Sequence, residues 1–249
     1  MLLRVVNPNT TASMTALVDR AARAAAAPGT VVETVHPGTG PVSIECHVDE
    51  ALAVPGLLEQ IALGEAAGAA AHVVACFGDP GLDAARELAG APVVGIAEGA
   101  YRVASTLGRR FGVVTTLART GGRAHELADR YGVAPLLTEV RACEVPVLDL
   151  HDPASGARER VLAECRAVLD GGADAVVLGC AGMADLAAPL STELGAPVVD
   201  GVGAAVVLAE GLGRLGLRTG SRGEFAPPPP KRVVGLLEGF SRPVAGDAA

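Results

Sequence analysis

The fold is decided by two copies of one pattern: VVACFGDPGLDAARELAGAPVVGIAEGAYRVASTLG at residues 73–108 and VVLGCAGMADLAAPLSTELGAPVVDGVGAAVVLAEGLG at residues 176–213. Each copy begins with a β-branched run, then passes through a cysteine and a glycine-containing turn into a helical stretch. Gly-Ala-Pro-Val-Val and a second helical stretch follow. Cys76 precedes the proline of that motif by 16 residues, and Cys180 precedes its own by 17. Internal similarity at this scale indicates a repeated structural unit. The sequence therefore predicts two similar α/β units.

The same alternation of short apolar runs and Ala-, Leu- and Arg-rich stretches extends over the rest of the chain. It predicts strands at residues 2–6, 30–35, 71–75, 92–96, 111–115, 138–140, 175–178 and 197–199. It predicts helices at residues 12–27, 51–68, 80–88, 98–107, 123–131, 155–170, 183–194 and 203–215. Short apolar strands separated by helices form parallel sheets that helices cover on both faces. We therefore expect an α/β protein with two pseudo-symmetric lobes and an active site in the cleft between them.

The repeat also suggests how the chain is divided. Residues 1–98 together with 209–249 are assigned to the first lobe, and residues 99–208 to the second, because a final helix and a tail follow the second copy. The Pro-rich stretch 226–231 predicts an extended spacer. The apolar stretch 233–240 after it predicts either a docking helix or a contact with a partner.

The composition excludes several classes of protein. Half of the 249 residues are hydrophobic, which is typical of a packed core, and the net charge is −8 with Lys231 as the single lysine. Nucleic acids and anionic membranes need a basic surface, so neither is an expected partner. Pyridoxal-phosphate chemistry needs a Schiff-base lysine, and the one available follows four prolines in the tail.

The chain lacks the features of an exported or membrane protein. No stretch approaches the roughly 20 apolar residues of a membrane span, and the first residues lack the apolar region of a signal peptide. Five cysteines without close spacing indicate neither a disulfide framework nor a zinc site. The sequence therefore predicts a reduced, cytoplasmic protein.

Cys76 and Cys180 are the strongest candidates for chemistry. Both follow the carboxyl end of a predicted parallel strand, where open α/β sheets bind ligands. Both also precede a helix, whose positive amino-terminus lowers the pKa of a nearby thiol. Free cysteines are often merely buried, but equivalent positions in a repeat favour a shared site. By contrast, Cys165 is expected in the core, and Cys46 lies in a loop that could reach the cleft.

Two thiols facing each other across a cleft suit one reaction. A carbon acid held between them loses its proton to one sulfur and regains a proton from the other on the opposite face, which inverts the stereocentre without a cofactor. Hydrogen-bond donors must then stabilise the oxygen that becomes negative. Asn7 and Thr116 are candidate donors because each follows the first strand of its lobe, although turn formation or helix capping would also account for them.

Other ligand motifs are missing from the sequence. The histidines and acidic residues show no metal-ligand spacing, and Gly38-Thr39-Gly40 lacks a full phosphate-binding fingerprint. We therefore expect neither a metal nor a cofactor.

Several of these motifs also resemble those of a known family. LRVVNPNTT at residues 3–11, VVACFGDPGLDAARE at 73–87, VVTT at 113–116 and the LGCAGM and GAPVVDGV segments of the second copy closely resemble the hydantoin racemases of the aspartate/glutamate racemase superfamily. The resemblance extends to about residue 216. It implies two flavodoxin-like lobes, cofactor-independent two-base racemisation with Cys76 and Cys180 as the acid/base pair, and oligomers of two to six subunits.

The resemblance also implies a substrate class. Members of this branch act on 5-monosubstituted hydantoins or on allantoin, whose ring is a hydantoin with a ureido substituent. It implies a pocket lined by Asn7, Ser43, Phe77, Gly78, Thr116, Ala181 and Gly182. An amino-acid racemase, a maleate isomerase and a non-catalytic protein that binds a small ring compound remain alternatives. Two features depart from the expected pattern, namely the third thiol at Cys46 and the tail after Gly223.

Overall fold

The computed structural model describes residues 1–152 and 154–242. The strands are β1 (Leu2–Val6), β2 (Val31–Val35), β3 (Ala71–Val74), β4 (Val93–Gly95), β5 (Phe111–Thr115), β6 (Leu137–Ala142), β7 (Ala175–Leu178) and β8 (Val198–Asp200). The helices are α1 (Ala12–Ala25), α2 (His47–Ala66), α3 (Leu82–Leu88), α4 (Ile96–Leu107), α5 (Gly121–Arg130), α6 (Ala157–Asp170), α7 (Ala187–Leu194) and α8 (Gly201–Arg214). Each predicted strand and helix is present, with ends that differ by up to four residues.

The strands form two parallel sheets of the same topology. The first has the order β2-β1-β3-β4 and the second the order β6-β5-β7-β8. Each sheet therefore follows the 2-1-3-4 order of a flavodoxin-like lobe. The central strands are apolar and buried because helices cover both faces of a parallel sheet. The predicted α/β class and the internal duplication are confirmed.

Two helices cross between the lobes. α4 follows the last strand of the first sheet but packs against β7 and β8, whereas α8 follows the last strand of the second sheet and packs against β3 and α1. The two helices pack tightly where they meet, because a Cβ on Gly99 would lie 2.8 Å from the backbone of Ala205.

This crossing bears on the division of the chain. The expected boundary at residue 98 lies near the start of α4, but the boundary at residue 208 would cut α8, which spans Gly201–Arg214. We propose instead that the chain crosses between the lobes at the starts of α4 and α8. Residues 243–249, assigned to the first lobe above, lie outside the described residues.

The tail beyond α8 is exposed. Thr219 joins the tail to the first lobe through two hydrogen bonds. Its backbone N–H donates to the Gly90 carbonyl oxygen at 3.1 Å, and its hydroxyl donates to the Ala91 carbonyl oxygen at 2.8 Å. The apolar stretch near the end forms a short 3-10 helix, Gly235–Phe240, rather than a docking helix. Among the described helices, none combines the length and apolarity required to cross a membrane.

Candidate active site

A cavity of about 660 Å³, including its mouth, opens between the two lobes. It lies at the carboxyl ends of the central strands, where parallel sheets bind ligands. Both lobes contribute to its walls. Of the predicted site residues, the following line it: Cys76, Phe77, Gly78, Thr116, Cys180 and Ala181.

Cys76 lies just beyond the end of β3, on the first-lobe side of the cavity. Burial raises the pKa of its thiol to about 12, and the backbone N–H of Gly78 opposes that shift. A negative charge on Cys180 or Glu50 would raise the pKa further. The thiol is therefore the resting form near neutral pH, and the two sulfurs are close enough for the charge on one to affect the other.

Cys180 occupies the equivalent position beyond β7, on the second-lobe side. Burial raises the pKa of its thiol to about 12 as well. The backbone N–H of Gly182 donates to Cys180 Sγ at 3.4 Å. In both lobes the sulfur therefore interacts with the N–H two residues further along the chain. The expectation of a net lowering by the following helix is wrong, because desolvation outweighs the effect of these dipoles.

Gly182 itself does not line the cavity. A Cβ at this position would lie 2.8 Å from Leu150 Cδ1 and 3.5 Å from Cys180 Sγ. The resemblance implied that Gly182 lines the pocket. In the structure its backbone N–H points to the sulfur, so Gly182 acts on the thiol.

Asn7 is also absent from the cavity wall. It is only 1% exposed and lies behind Asn9, which does line the cavity. Asn7 Nδ2 donates to Asn9 Oδ1 at 2.9 Å and to Thr15 Oγ1 at 3.0 Å. The assignment of Asn7 as a lining residue is therefore wrong, because the turn after β1 places the second asparagine of Asn-Pro-Asn at the cavity.

The segment before α2 closes one side of the cavity. Ser43 does not line it, but Ile44, Glu45, Cys46 and Glu50 do. Sequence reasoning anticipated Cys46 alone, since acidic residues around the start of a helix are common as capping residues. A contact with the second lobe holds this segment in place, because Glu45 accepts a hydrogen bond from the backbone N–H of Val147 at 2.7 Å.

Charged side chains border both thiols, which the sequence did not reveal. A charge on Glu45 raises the pKa of Cys180, and a charge on Glu50 raises that of Cys76. Arg123, on α5, lines the cavity and donates through Nε to the Gly78 carbonyl oxygen at 3.0 Å. Burial raises the pKa of Glu50, and Arg123, 3.8 Å away, opposes that shift.

Asp79 connects the turn after Cys76 to the second lobe. Its carboxylate accepts hydrogen bonds from the backbone N–H groups of Ala97 (3.1 Å) and Glu98 (3.0 Å) and from the Tyr131 hydroxyl (2.6 Å). Asp79 therefore caps α4 and not, as its sequence position suggests, α3. Burial raises the pKa of Asp79 to about 7, and its three donors oppose that shift. Its φ of 45° lies in the left-handed region, which only a few non-glycine residues adopt.

The other two cysteines lie away from the cavity wall. Cys165 is fully buried in the core of the second lobe, as expected. Cys143 is buried beside Thr116 and contacts its carbonyl oxygen through Sγ at 3.7 Å. Over residues 1–152 and 154–242, no group of three or more His, Cys, Asp and Glu is arranged to hold a metal ion.

Comparison with known proteins identifies the family. The family model described as Asp/Glu/Hydantoin racemase matches residues 3–209. The chain belongs to this family. The family description, together with three curated relatives named as hydantoin racemases, makes this chain an isomerase that acts on a small molecule. The resemblance inferred from the cysteine motifs is thereby confirmed.

Named relatives lie within the same family. A hydantoin racemase from Pseudomonas sp. (strain NS671) is 45% identical over 243 residues, which cover 97% of this chain and 98% of that protein. The structure of an allantoin racemase from Klebsiella pneumoniae is 48% identical, covers 97% of this chain and 99% of its own, and superposes with a TM-score of 0.94. The structure of an allantoin racemase from Pseudomonas fluorescens is 37% identical, covers 94% of this chain and 100% of its own, and superposes with a TM-score of 0.89.

These relatives correct one expectation about the tail. The sequence placed the residues after Gly223 outside the resemblance. The match to the hydantoin racemase from Pseudomonas sp. (strain NS671) covers 97% of the chain and so leaves fewer than ten residues unaligned. Most of this tail therefore has a counterpart in that protein.

Proposed function

We propose that this chain racemises 5-monosubstituted hydantoins at C5, without a cofactor, with Cys76 and Cys180 as the two proton-transferring groups. One observation carries the proposal. The two thiols occupy equivalent positions of a duplicated fold, and both line one cavity from opposite lobes. A planar ring between them would present one face to each sulfur.

The proposed reaction needs one thiolate and one thiol. The thiolate removes the C5 proton, and the electron pair of the broken C–H bond delocalises onto the C4 carbonyl oxygen. The opposite thiol then delivers its proton to the other face of C5, which leaves the product enantiomer and exchanges the two roles. Their raised pKa values make both sulfurs strong bases when ionised, which suits a weak carbon acid.

Allantoin is a second candidate substrate, and the charged cavity wall favours it. Glu45, Glu50 and Arg123 lie beside the thiols. The ureido substituent of allantoin offers several N–H donors and a carbonyl acceptor, which pair with carboxylates and a guanidinium. An apolar substituent would instead contact the Met14, Ile44 and Val147 side chains of the same cavity. The solved structures named as allantoin racemases support allantoin, whereas the curated relatives named as hydantoin racemases support a 5-monosubstituted hydantoin.

The reaction can be followed in deuterated water. Purified protein with a reductant and a metal chelator is incubated with L-5-benzylhydantoin and, separately, with allantoin, while optical rotation and deuterium at C5 are measured. We expect loss of rotation with one deuterium per inverted molecule. If neither compound changes, the substrate assignment is wrong, and amino acids and maleate are tested next.

Single-cysteine variants test the mechanism. In Cys76→Ala and Cys180→Ala we expect racemisation to fall by about 10²–10⁴-fold, the usual contribution of one general acid–base group. Cys165→Ala is the matched control, since this thiol is buried outside the cavity. Racemisation that survives in either active-site variant would contradict the two-thiol mechanism and leave the substrate assignment intact.

We also propose that the protein assembles into a homo-oligomer. Val207 on α8 and Leu215 just after its end are more than half exposed and line one surface groove. Val234 and Leu236 in the tail are also more than half exposed. Apolar side chains grouped on a surface often mark contacts between proteins. Light scattering after size exclusion tests the proposal, and a monomer at micromolar concentration would refute it. A cytoplasmic location stays a prediction from composition.

A further inference from the structure

The turn after β1 orients the side-chain amide of Asn9. Its Oδ1 accepts two hydrogen bonds, from Asn7 Nδ2 at 2.9 Å and from the backbone N–H of Thr11 at 2.9 Å. Both partners are donors, so only the oxygen of the amide can occupy this position. The nitrogen of the same amide, Nδ2, consequently points away from Asn7 and Thr11.

A second layer of hydrogen bonds holds Asn7 in place. Asn7 Oδ1 accepts from the backbone N–H of Asn9 at 3.3 Å, and Asn7 Nδ2 also donates to Thr15 Oγ1 at 3.0 Å. Thr15 Oγ1 in turn lies 2.9 Å from His36 Nδ1. Asn7 and Asn9 are 1% and 6% exposed, so little water competes for these bonds.

The Asn9 amide is left with an unused donor. Asn9 lines the cavity that Cys76 and Cys180 share, and within the described residues its Nδ2 has no hydrogen-bond acceptor. Nδ2 itself remains accessible at the cavity wall, so its donor is available to a ligand or to water.

Two backbone N–H groups beside the thiols are already engaged by sulfur. The N–H of Gly182 donates to Cys180 Sγ, and the N–H of Gly78 interacts with Cys76 Sγ. In many enzymes such N–H groups stabilise a developing oxyanion. Because the sulfurs engage these two N–H groups, neither is free for the substrate oxygen, whereas the side-chain amide of Asn9 is.

We propose that Asn9 Nδ2 donates a hydrogen bond to the C4 oxygen of the substrate ring as that oxygen becomes an enolate, and that Asn7 is the positioning residue for this amide. The inference rests on the proposed function. As the C5–H bond breaks, the proton moves to one sulfur and the electron pair moves onto the oxygen that Asn9 binds. The bond strengthens as negative charge develops, so it lowers the barrier more than it tightens substrate binding.

Asn9→Asp is the sharpest test. It retains an oxygen for Asn7 and Thr11 but replaces the donor with a second acceptor. We expect kcat for racemisation and for C5 deuterium exchange to fall together by about 10²–10³-fold, the usual effect of one lost oxyanion donor. KM should change by less than about fivefold, as expected when an interaction forms mainly in the transition state.

Two further variants and a matched control keep the result interpretable. Asn9→Ser serves if Asn9→Asp does not fold, and it should show the same division between kcat and KM. Asn7→Ala should lower kcat with little change in KM, because it frees the amide to rotate. Thr10→Val is the matched control, since Thr10 lies in the same turn, bonds Pro41 through its hydroxyl and does not line the cavity.

Each outcome separates the inference from the proposed function. If wild-type protein racemises the hydantoins and a folded Asn9→Asp variant keeps kcat within threefold, Asn9 is not the donor and the proposed function stands. A loss expressed only in KM would make Asn9 a ground-state binding residue and would also overturn the inference. If wild-type protein leaves every hydantoin unchanged, the proposed function fails and the inference fails with it.

Discussion

The raised thiol pKa values predict how activity depends on pH. Cys76 and Cys180 are buried between the lobes, and carboxylates of Glu50 and Glu45 border them. Both effects disfavour a thiolate. In the free enzyme, the reactive form with one thiolate should therefore be scarce at neutral pH and become more abundant as the pH rises.

The size of the effect follows from the pKa values. A thiol with a pKa of about 12 is ionised in roughly one molecule in 10⁴ at pH 8, and each pH unit raises that fraction tenfold. We therefore expect kcat/KM, which reports on the free enzyme, to rise about a hundredfold between pH 7 and pH 9 without levelling off.

Two assays check this rise. The first measures C5 deuterium exchange on 5-benzylhydantoin at low substrate concentration, with the uncatalysed rate subtracted at each pH. The second measures alkylation of each cysteine by iodoacetamide, resolved by mass spectrometry, which reports thiolate formation without substrate. The alkylation rates of Cys76 and Cys180 should still be rising at pH 10.

A plateau that appears in both assays would refute this prediction. If kcat/KM becomes constant below pH 9 and one active-site thiol is alkylated with a midpoint in that range, that thiol is ionised in the free enzyme. Local dipoles such as the Gly182 N–H would then outweigh burial. A plateau in kcat/KM with alkylation that still rises would assign the levelling to another group or to a step other than proton transfer, so only the agreement of both assays is decisive.

Three further predictions follow from other parts of the structure. Tyr131→Phe removes a donor to the buried Asp79 carboxylate, so the free energy of unfolding should fall by about 1–3 kcal/mol at pH 8 and by less at pH 5, where Asp79 is protonated; equal losses in urea denaturation at both pH values would contradict this. Glu50→Gln should lower the ratio of kcat/KM for allantoin to that for 5-benzylhydantoin by about tenfold, because a carboxylate binds ureido N–H groups more strongly than an amide; an unchanged ratio would exclude Glu50 from substituent recognition. Burial lowers the pKa of His72 despite its hydrogen bond to Glu65, so the folded protein binds fewer protons there than the unfolded chain and loses stability as the pH falls below 6.5. His72→Gln should therefore flatten the dependence of Tm on pH between pH 5 and pH 7. A variant whose Tm changes with pH as steeply as that of the wild type would refute this prediction.

The local pattern of apolar and polar residues along the chain was sufficient to predict the fold. Strand and helix positions depend on which residues neighbour each other in sequence, and β1, β5 and β7 begin and end where the apolar runs do. The repeat added the pairing of Cys76 with Cys180, because equivalent positions in two copies of one unit lie at equivalent ends of two sheets.

The residues of the cavity wall could not be predicted from the local sequence pattern. Glu45, Glu50 and Arg123 come from a segment before α2, its first turn and α5, and none belongs to a motif that the repeat marks. They meet at the cavity only because the second lobe packs against the first. A long-range contact of this kind leaves no periodic trace in the sequence.

The sequence by itself determined the α/β class, the duplicated sheets and the two cysteines at equivalent strand ends. Only the tertiary structure decided that Asn9 rather than Asn7 faces the cavity, that the Gly182 N–H points to sulfur, and that burial raises both thiol pKa values. The physical reason is that secondary structure follows from local steric and hydrophobic preferences. The direction of a side chain and the ionisation of a thiol depend instead on desolvation and on donors that the other lobe and distant turns supply.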